Sequence, residues 1–223
     1  MHIPDGFIDL PTSAAFAAIA AAGVAVSIRG SKSSLDEKTA PLAGLTATFI
    51  FAVQMLNFPV AAGTSGHLLG GALAAVLVGP FTATLALTVV LLMQALLFAD
   101  GGLTAIGLNV FNMSIIGVWA GYGTFCLVRK LFSNKKSIIP LAASIGALVS
   151  VPAAATGFVL QYAIGGTGTF SSTAVFTAMF GTHVLIGIGE AIITGLAVGA
   201  VMASRSDLVY GFKKEDVKLE IRK

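Results

Sequence analysis

Seven apolar runs follow one another along this chain, and the few charges between them are sorted in a way that only a membrane explains. The runs cover residues 10–28, 41–58, 67–78, 81–98, 103–128, 138–163 and 174–203. Five have, or nearly have, the ~20 residues a helix needs to cross ~30 Å of hydrocarbon. The run 81–98 is at the short end, and 67–78 is too short to cross alone. Charged residues make up 10% of the 223 and hydrophobic residues 56%, where a typical soluble domain has about 25% charged. A soluble fold of this size could not cover its surface with so few charges, so the bilayer is much of its solvent.

All 13 Lys and Arg fall into three clusters: Arg29, Lys32 and Lys38; Arg129, Lys130, Lys135 and Lys136; and Arg205 through Lys223. The remaining connections, near 59–66, 100–102 and 165–172, carry none. Positive charge stays in the cytoplasm, and seven crossings with the N-terminus outside and the C-terminus inside satisfy all three clusters. A single helix over 67–98 would put the second and third clusters outside. The short run is therefore expected to cross, with Gly79-Pro80 as its inner turn. Its twelve residues cover about 18 Å as a helix, so the stretch 59–66 must dip in from outside. Irregular backbone at that depth is tolerated only inside protein or beside a cavity. This places His67, at the start of the expected short helix, below the outer surface and within the bundle.

The expected fold class is thus all-α, a polytopic helical bundle in one membrane domain, 1–223. It divides into an N-terminal segment 1–9, a bundle 10–203 and a cytoplasmic tail 204–223. The N-terminus is not read as a signal peptide, because residues 1–10 hold Asp5 and Asp9 and no Lys or Arg, whereas a signal peptide has a basic start. The net charge of +3 follows membrane orientation rather than nucleic-acid binding. The single cysteine, Cys126, allows no internal disulfide and reads as a small hydrophobe.

The three histidines, His2, His67 and His183, all fall in the outer half of this topology. A lone membrane histidine serves as well in an interhelical hydrogen bond as in a functional site; for His183 the hydrogen bond is preferred, with Glu190 as one partner. His2 differs because of its position. A free α-amine at residue 1, the amide nitrogen of residue 2 and that residue's imidazole Nδ1 close two fused chelate rings, of five and six members, around one ion. A fourth nitrogen completes a square, the geometry that suits Ni(II) or Cu(II). Filling it displaces protons from amine, amide and imidazole, so affinity is expected to fall as pH drops below neutral, starting near the ordinary values of about 7.7–8.0 for an α-amine and about 6.5 for His. Nine residues precede Leu10 and reach about 30 Å when extended, enough for the N-terminus to fold back into the bundle. Pro4 and Asp5-Gly6 supply the turn.

Met1-His-Ile-Pro-Asp-Gly6, Gln54-Met-Leu-Asn-Phe-Pro59, Gly63-Thr-Ser-Gly-His-Leu-Leu-Gly-Gly71, and Asp100-Gly-Gly-Leu-Thr104 with Gly107-Leu-Asn-Val-Phe-Asn-Met113 together resemble the NikM/CbiM family. These are substrate-binding membrane components of energy-coupling-factor transporters, a class of ABC-type importer, for nickel or cobalt. The likeness runs from Met1 to about Val128 and is weaker beyond. It implies a seven-helix fold with the N-terminus inserted. It also implies a metal held by the Met1 amine, the His2 amide nitrogen, the His2 imidazole and His67. The implied partners are a transmembrane coupling subunit, two cytoplasmic ATPases and often a small accessory membrane subunit. This sequence has no G-x-x-x-x-G-K-[ST] phosphate loop, so the ATP hydrolysis is expected from those partners and not from this chain.

Metal-bound histidines usually have a partner on the other ring nitrogen. Ser65, Gln54, Asn57, Gln94, Asn109 and Asn112 are candidates, each equally suited to a structural polar network. Ala14, Ala18 and Ala22, like Ala17, Ala21 and Ala25, form small-residue faces that fit either a docking surface for the coupling subunit or internal packing. An autonomous secondary transporter or channel would need its own coupling route, and the interior acids are too few for a proton relay. A metalloenzyme would need an open coordination position, which four nitrogens in a square do not leave. The expected substrate is Ni(II), with Co(II) as the alternative.

Overall fold

The computed structural model describes residues 1–32, 35, 37, 39–60, 65–132 and 135–212. Most of the tail 204–223, and Gly63 and Thr64 of the glycine-rich motif, lie outside the described residues. Seven helices follow in order: α1 Leu10–Ser31, α2 Thr39–Gln54, α3 Gly71–Val78, α4 Pro80–Phe98, α5 Ile106–Leu131, α6 Ile139–Gly165 and α7 Ser172–Arg205. Five of them (α1, α4, α5, α6 and α7) are long and apolar enough to cross a membrane. The protein is an all-α multi-pass membrane bundle, and exposed leucines such as Leu92, Leu96, Leu185 and Leu196 give it an apolar outer surface.

Helix ends are set by local chemistry. Asp9 caps α1, its Oδ1 accepting the Thr12 N–H at 2.8 Å, with Pro11 in the first turn, where a missing N–H costs nothing. Ser171 caps α7 through the Ala174 N–H at 3.2 Å. Gly79, at φ 85°, separates α3 from α4 by one residue, a left-handed turn that favours glycine. Within α5 the segment Val110–Gly117 is wound as a π-helix, a local widening common at functional sites.

The short crossing differs from the sequence-based expectation. Its helix begins at Gly71, not at His67, and has eight residues, about 12 Å. His67–Gly70 is an irregular arm leading into it, preceded by a two-residue antiparallel ribbon in which Phe58 faces Gly66 and Pro59 faces Ser65. The arm is not helical because its main chain is claimed from outside: Leu69 N–H and Gly70 N–H donate to the Glu190 carboxylate, and Gln54 Nε2 donates to the Leu69 carbonyl.

The space next to this arm is filled by the N-terminus. Met1 and Ile3 are fully buried in a core with Leu69, Leu108, Met113, Phe158, Met179 and Ile186. The segment is laced to one end of the bundle: Asp9 N–H to the Gly165 carbonyl at 2.7 Å, Thr167 N–H to the Phe7 carbonyl at 3.2 Å, and Asp5 Oδ1 accepting the Thr104 N–H at 2.7 Å. Phe7 packs between Phe158 and Tyr162. A second core at the other end gathers Phe125, Ile139, Val198 and Val209. The helix ends bearing Arg29, Arg129, Lys130 and Arg205 belong to that opposite end.

Candidate metal centre

Residues 1–3 reach the centre through main-chain pairing. Asn109, in the last turn before the π-segment, brackets Ile3: its Oδ1 accepts the Ile3 N–H at 2.8 Å and its Nδ2 donates to the Ile3 carbonyl at 3.2 Å. Gly102 N–H donates to that same carbonyl at 2.8 Å. A Cβ on Gly102 would collide with the main chain of Pro4 and Asp5, so only glycine lets the two strands of chain lie this close.

The result is a cluster of nitrogen atoms below the surface. Met1, His2 and His67 are at most 4% exposed, and the two imidazoles lie 4.7 Å apart between ring centroids, tilted by 31°. The rings' other contacts show what each nitrogen meets. His2 Nε2 faces Gln94 Oε1 at 3.1 Å and His2 Nδ1 faces Asp100 Oδ1 at 3.1 Å; both oxygens accept, and a neutral imidazole has one N–H, so one His2 nitrogen turns its lone pair towards an oxygen. His67 Nδ1 faces the Leu68 carbonyl at 2.9 Å, which leaves the lone pair on Nε2. His2 Nδ1 and His67 Nε2 are both buried, and no hydrogen-bond donor reaches either. Buried polar atoms are rarely left so.

Electrostatics favour a cation here. Asp100 Oδ1 lies 3.1 Å from His2 Nδ1. Burial pushes the Asp100 carboxyl up, but the His2 contact and the Asn57 hydrogen bond outweigh it and hold the group below its ordinary value. Burial lowers the Met1 α-amine from 8.0 to about 4, with Asp100 opposing, and lowers His2 chiefly by burial too. Both nitrogens are therefore neutral at pH 7, as metal ligands must be. Among the described residues no three His, Cys, Asp or Glu converge; a site here draws half its donors from the main chain.

The other candidates divide. Gln94 touches His2, and Gln54 holds the arm two residues after His67. Asn57 Nδ2 donates to Asp100 Oδ2 at 3.2 Å. Asn109 grips the N-terminal main chain rather than a ring. Asn112 pairs with Gln161 at 2.7 Å, and Ser65 sits in the ribbon. His183 bonds within its own helix, to the Met179 carbonyl at 2.7 Å, and Glu190 bonds the arm instead of His183. Asp100 was not singled out as a site residue by sequence; its signal was an acid just past an apolar run, before two glycines. Ala14, Ala18 and Ala22 face outward on α1, so that stripe is not internal packing.

Residues 2–208 match the sequence profile of CbiM, the cobalt uptake substrate-specific transmembrane region. The chain belongs to the CbiM family. A relative from Haloquadratum walsbyi is 38% identical over 212 residues, 94% of each chain. The cobalt transport protein CbiM of Sorangium cellulosum is 34% identical over 216 residues, again 94% of each. The fused nickel transport protein NikMN of Rhodobacter capsulatus is 40% identical over 127 residues, 57% of this chain and 37% of that longer one. A crystallised transition metal transporter superposes with a TM-score of 0.85 at 32% identity, over 91% of this chain and 93% of the other. CbiM-family chains are transport components rather than enzymes, and this one is a multi-pass membrane member.

Proposed function

We propose that this CbiM-family chain is the metal-binding membrane component of an energy-coupling-factor transporter that imports Ni(II). In this reading the Met1 amine, the His2 amide nitrogen, His2 Nδ1 and His67 Nε2 are the four ligands. The observation that carries it is the pair of buried ring nitrogens that no hydrogen-bond donor reaches, His2 Nδ1 and His67 Nε2, on rings 4.7 Å apart. They belong to the two side chains that a two-residue amino-terminal chelate with one further nitrogen would use. Asp100 supplies negative charge beside the ion, and Gln94 accepts the Nε2–H of His2 once Nδ1 is given to the ion. Four nitrogens including an ionised amide favour Ni(II) over Co(II). Cobalt enters as a second substrate because the matched family is described by cobalt uptake.

A transmembrane coupling subunit and two cytoplasmic ATPases supply the power stroke, with a small accessory membrane subunit where one is present. The outward Ala14, Ala18 and Ala22 stripe is the face offered to the coupling subunit. Glu190 is the one acid within the described parts of α1–α7, too little for a proton relay that would drive transport by itself. The domain is single, 1–223, with the N-terminus outside and the basic helix ends inside.

The test uses purified protein tagged at the C-terminus. Nickel and cobalt titrations should show one tight site, with nickel preferred and a diamagnetic, planar spectrum. Inserting an alanine between Met1 and His2 adds a second amide nitrogen between amine and imidazole, and that three-residue chelate fills a planar set by itself; binding should persist, become independent of His67 and no longer support uptake. An N-terminal tag turns the amine into an amide and should abolish tight binding, and His67→Ala in the parent sequence should weaken binding by at least about 10-fold. Cellular uptake should require co-expressed coupling and ATPase subunits. Parental affinity in both the N-terminally tagged protein and His67→Ala sinks the ligand set, and uptake by this chain alone sinks the transporter class.

A further inference from the structure

Glu190 lies on α7, fully inside the bundle, and both of its oxygens are spent on main chain. Oε2 accepts the Leu69 N–H at 2.5 Å and Oε1 accepts the Gly70 N–H at 2.9 Å. A carboxylate in the interior of a membrane bundle is costly, and here it does no more than hold two consecutive peptide groups. Those groups belong to the arm His67–Gly70: the Leu69 N–H is the other side of the same peptide whose carbonyl, Leu68, fixes the His67 tautomer, and the Gly70 N–H belongs to the next peptide. Gln54 of α2 closes the same arm from the other side by donating to the Leu69 carbonyl at 2.7 Å. Gly70 then turns into α3 at φ 78°, where Ile50 packs against the position a Cβ would take.

We propose that Glu190 is the positioning residue of the metal centre: it holds the His67 arm in the non-helical form that aims Nε2 at the N-terminal nitrogens, without touching the ion. The proposal rests on the ligand set given under Proposed function. The arm has no hydrogen-bond pattern of its own, since it is neither helix nor paired strand. In a bundle with no water to take over, its N–H groups need an acceptor, and Glu190 supplies both at once. Because two rigid elements, α2 and α7, grip the Leu69–Gly70 peptide from both of its polar groups and α7 also holds the peptide before it, the His67 ring has its direction fixed before any ion arrives. Removing the carboxylate leaves two buried N–H groups without an acceptor, and the arm must shift to satisfy them. The ion would then lose its fourth ligand although no ligand had been changed.

The test compares four C-terminally tagged proteins: His67→Ala, Glu190→Gln, Glu190→Ala and the double variant His67→Ala/Glu190→Ala. Nickel affinity, the nickel absorption spectrum and thermal stability are measured on each. Glu190→Ala should bind nickel about 10–100-fold more weakly than the parent, and its spectrum should coincide with that of His67→Ala. Glu190→Gln keeps the volume and one acceptor oxygen, so it should fall between the two and carries the test if the alanine variant does not fold. The double variant should bind no more weakly than His67→Ala alone, because both act through one ligand. A merely structural role predicts a lower melting temperature with parental affinity and spectrum, and that result overturns the proposal while leaving His67 a ligand. Losses that add in the double variant overturn it too. Parental affinity in His67→Ala removes the ligand reading itself and this proposal with it.

Discussion

At the scale of single residues, the proposed site is built from groups that oxygen acceptors already surround. The Leu68 carbonyl claims His67 Nδ1 and leaves the lone pair on Nε2, and His2 lies between the Gln94 amide oxygen and the Asp100 carboxylate, so a cation at Nδ1 would replace a lone pair facing an oxygen. Burial holds the Met1 amine near pKa 4 instead of 8.0, and this alters the pH dependence expected from sequence. A flexible peptide chelate would give up its amine proton below about pH 8; here that proton is already absent at pH 7. Nickel binding should therefore release about one proton, from the His2 amide, rather than the two or more of a free peptide. Calorimetric titrations in two buffers of different ionisation enthalpy measure this number, and a value of two or more would mean that the amine is charged before binding. The same shift carries a stability term of defined sign. Between about pH 8 and 4 the unfolded chain takes up a proton at Met1 that the folded one refuses, so stability falls as pH drops through that window. His2 was legible in the sequence because its meaning depends only on its distance from the chain end. Gln94 was legible only as one of six candidate ring partners and Asp100 was not singled out, because their meeting at His2 needs the left-handed turn at Ala99, where Asp100 N–H returns to the Gln94 carbonyl at 3.1 Å.

At the scale of elements, charge counting along the sequence called for a break at Gly79-Pro80, and α3 and α4 are indeed separate helices on either side of Gly79; hydrophobicity alone would have merged 67–98 into one helix. What it could not show was that only eight residues of that crossing are helical. The arm's partners, Gln54 and Glu190, come from elements 15 and 121 residues away, and no local pattern reports such bonds. The same holds for the loop after α4, which has to lie flat against the N-terminal segment. Gly102→Ala places a methyl group against Pro4 and Asp5, an overpacking that costs about 1–3 kcal/mol and is relieved most easily by lifting residues 1–5. The variant should lose nickel affinity, and its Met1 amine, 0% exposed in the parent residue, should become reactive to a water-soluble acylating reagent. A variant with parental affinity and a protected amine would show that the loop can yield without releasing the N-terminus.

At the scale of the whole molecule, the bundle has two unlike ends. One gathers the N-terminal segment and the connections at 100–104 and 165–167; the other gathers Arg29, Arg129, Lys130 and Arg205 on helix ends. The positive-inside rule turns this asymmetry into an orientation. In a Cys126→Ser background, Thr169→Cys should react with an impermeant thiol reagent on intact cells, and Lys135→Cys only after permeabilisation. The reverse labelling would invert the topology and put the metal centre on the cytoplasmic side. The lacing of the N-terminus has a further consequence, for the order of assembly. Its partners Gly165 and Thr167 are made more than 150 residues after Met1. Residues 3 and 5 can pair with Gly102, Thr104 and Asn109 once α5 is in place, but the lacing of Phe7 and Asp9 waits for the end of α6. The N-terminal segment is therefore seated in two stages, and a bundle that stops before α6 leaves it half fastened. Under the proposed ligand set, metal capture would double as an inspection: only a bundle built through α6 holds the amine and His2 firmly in place.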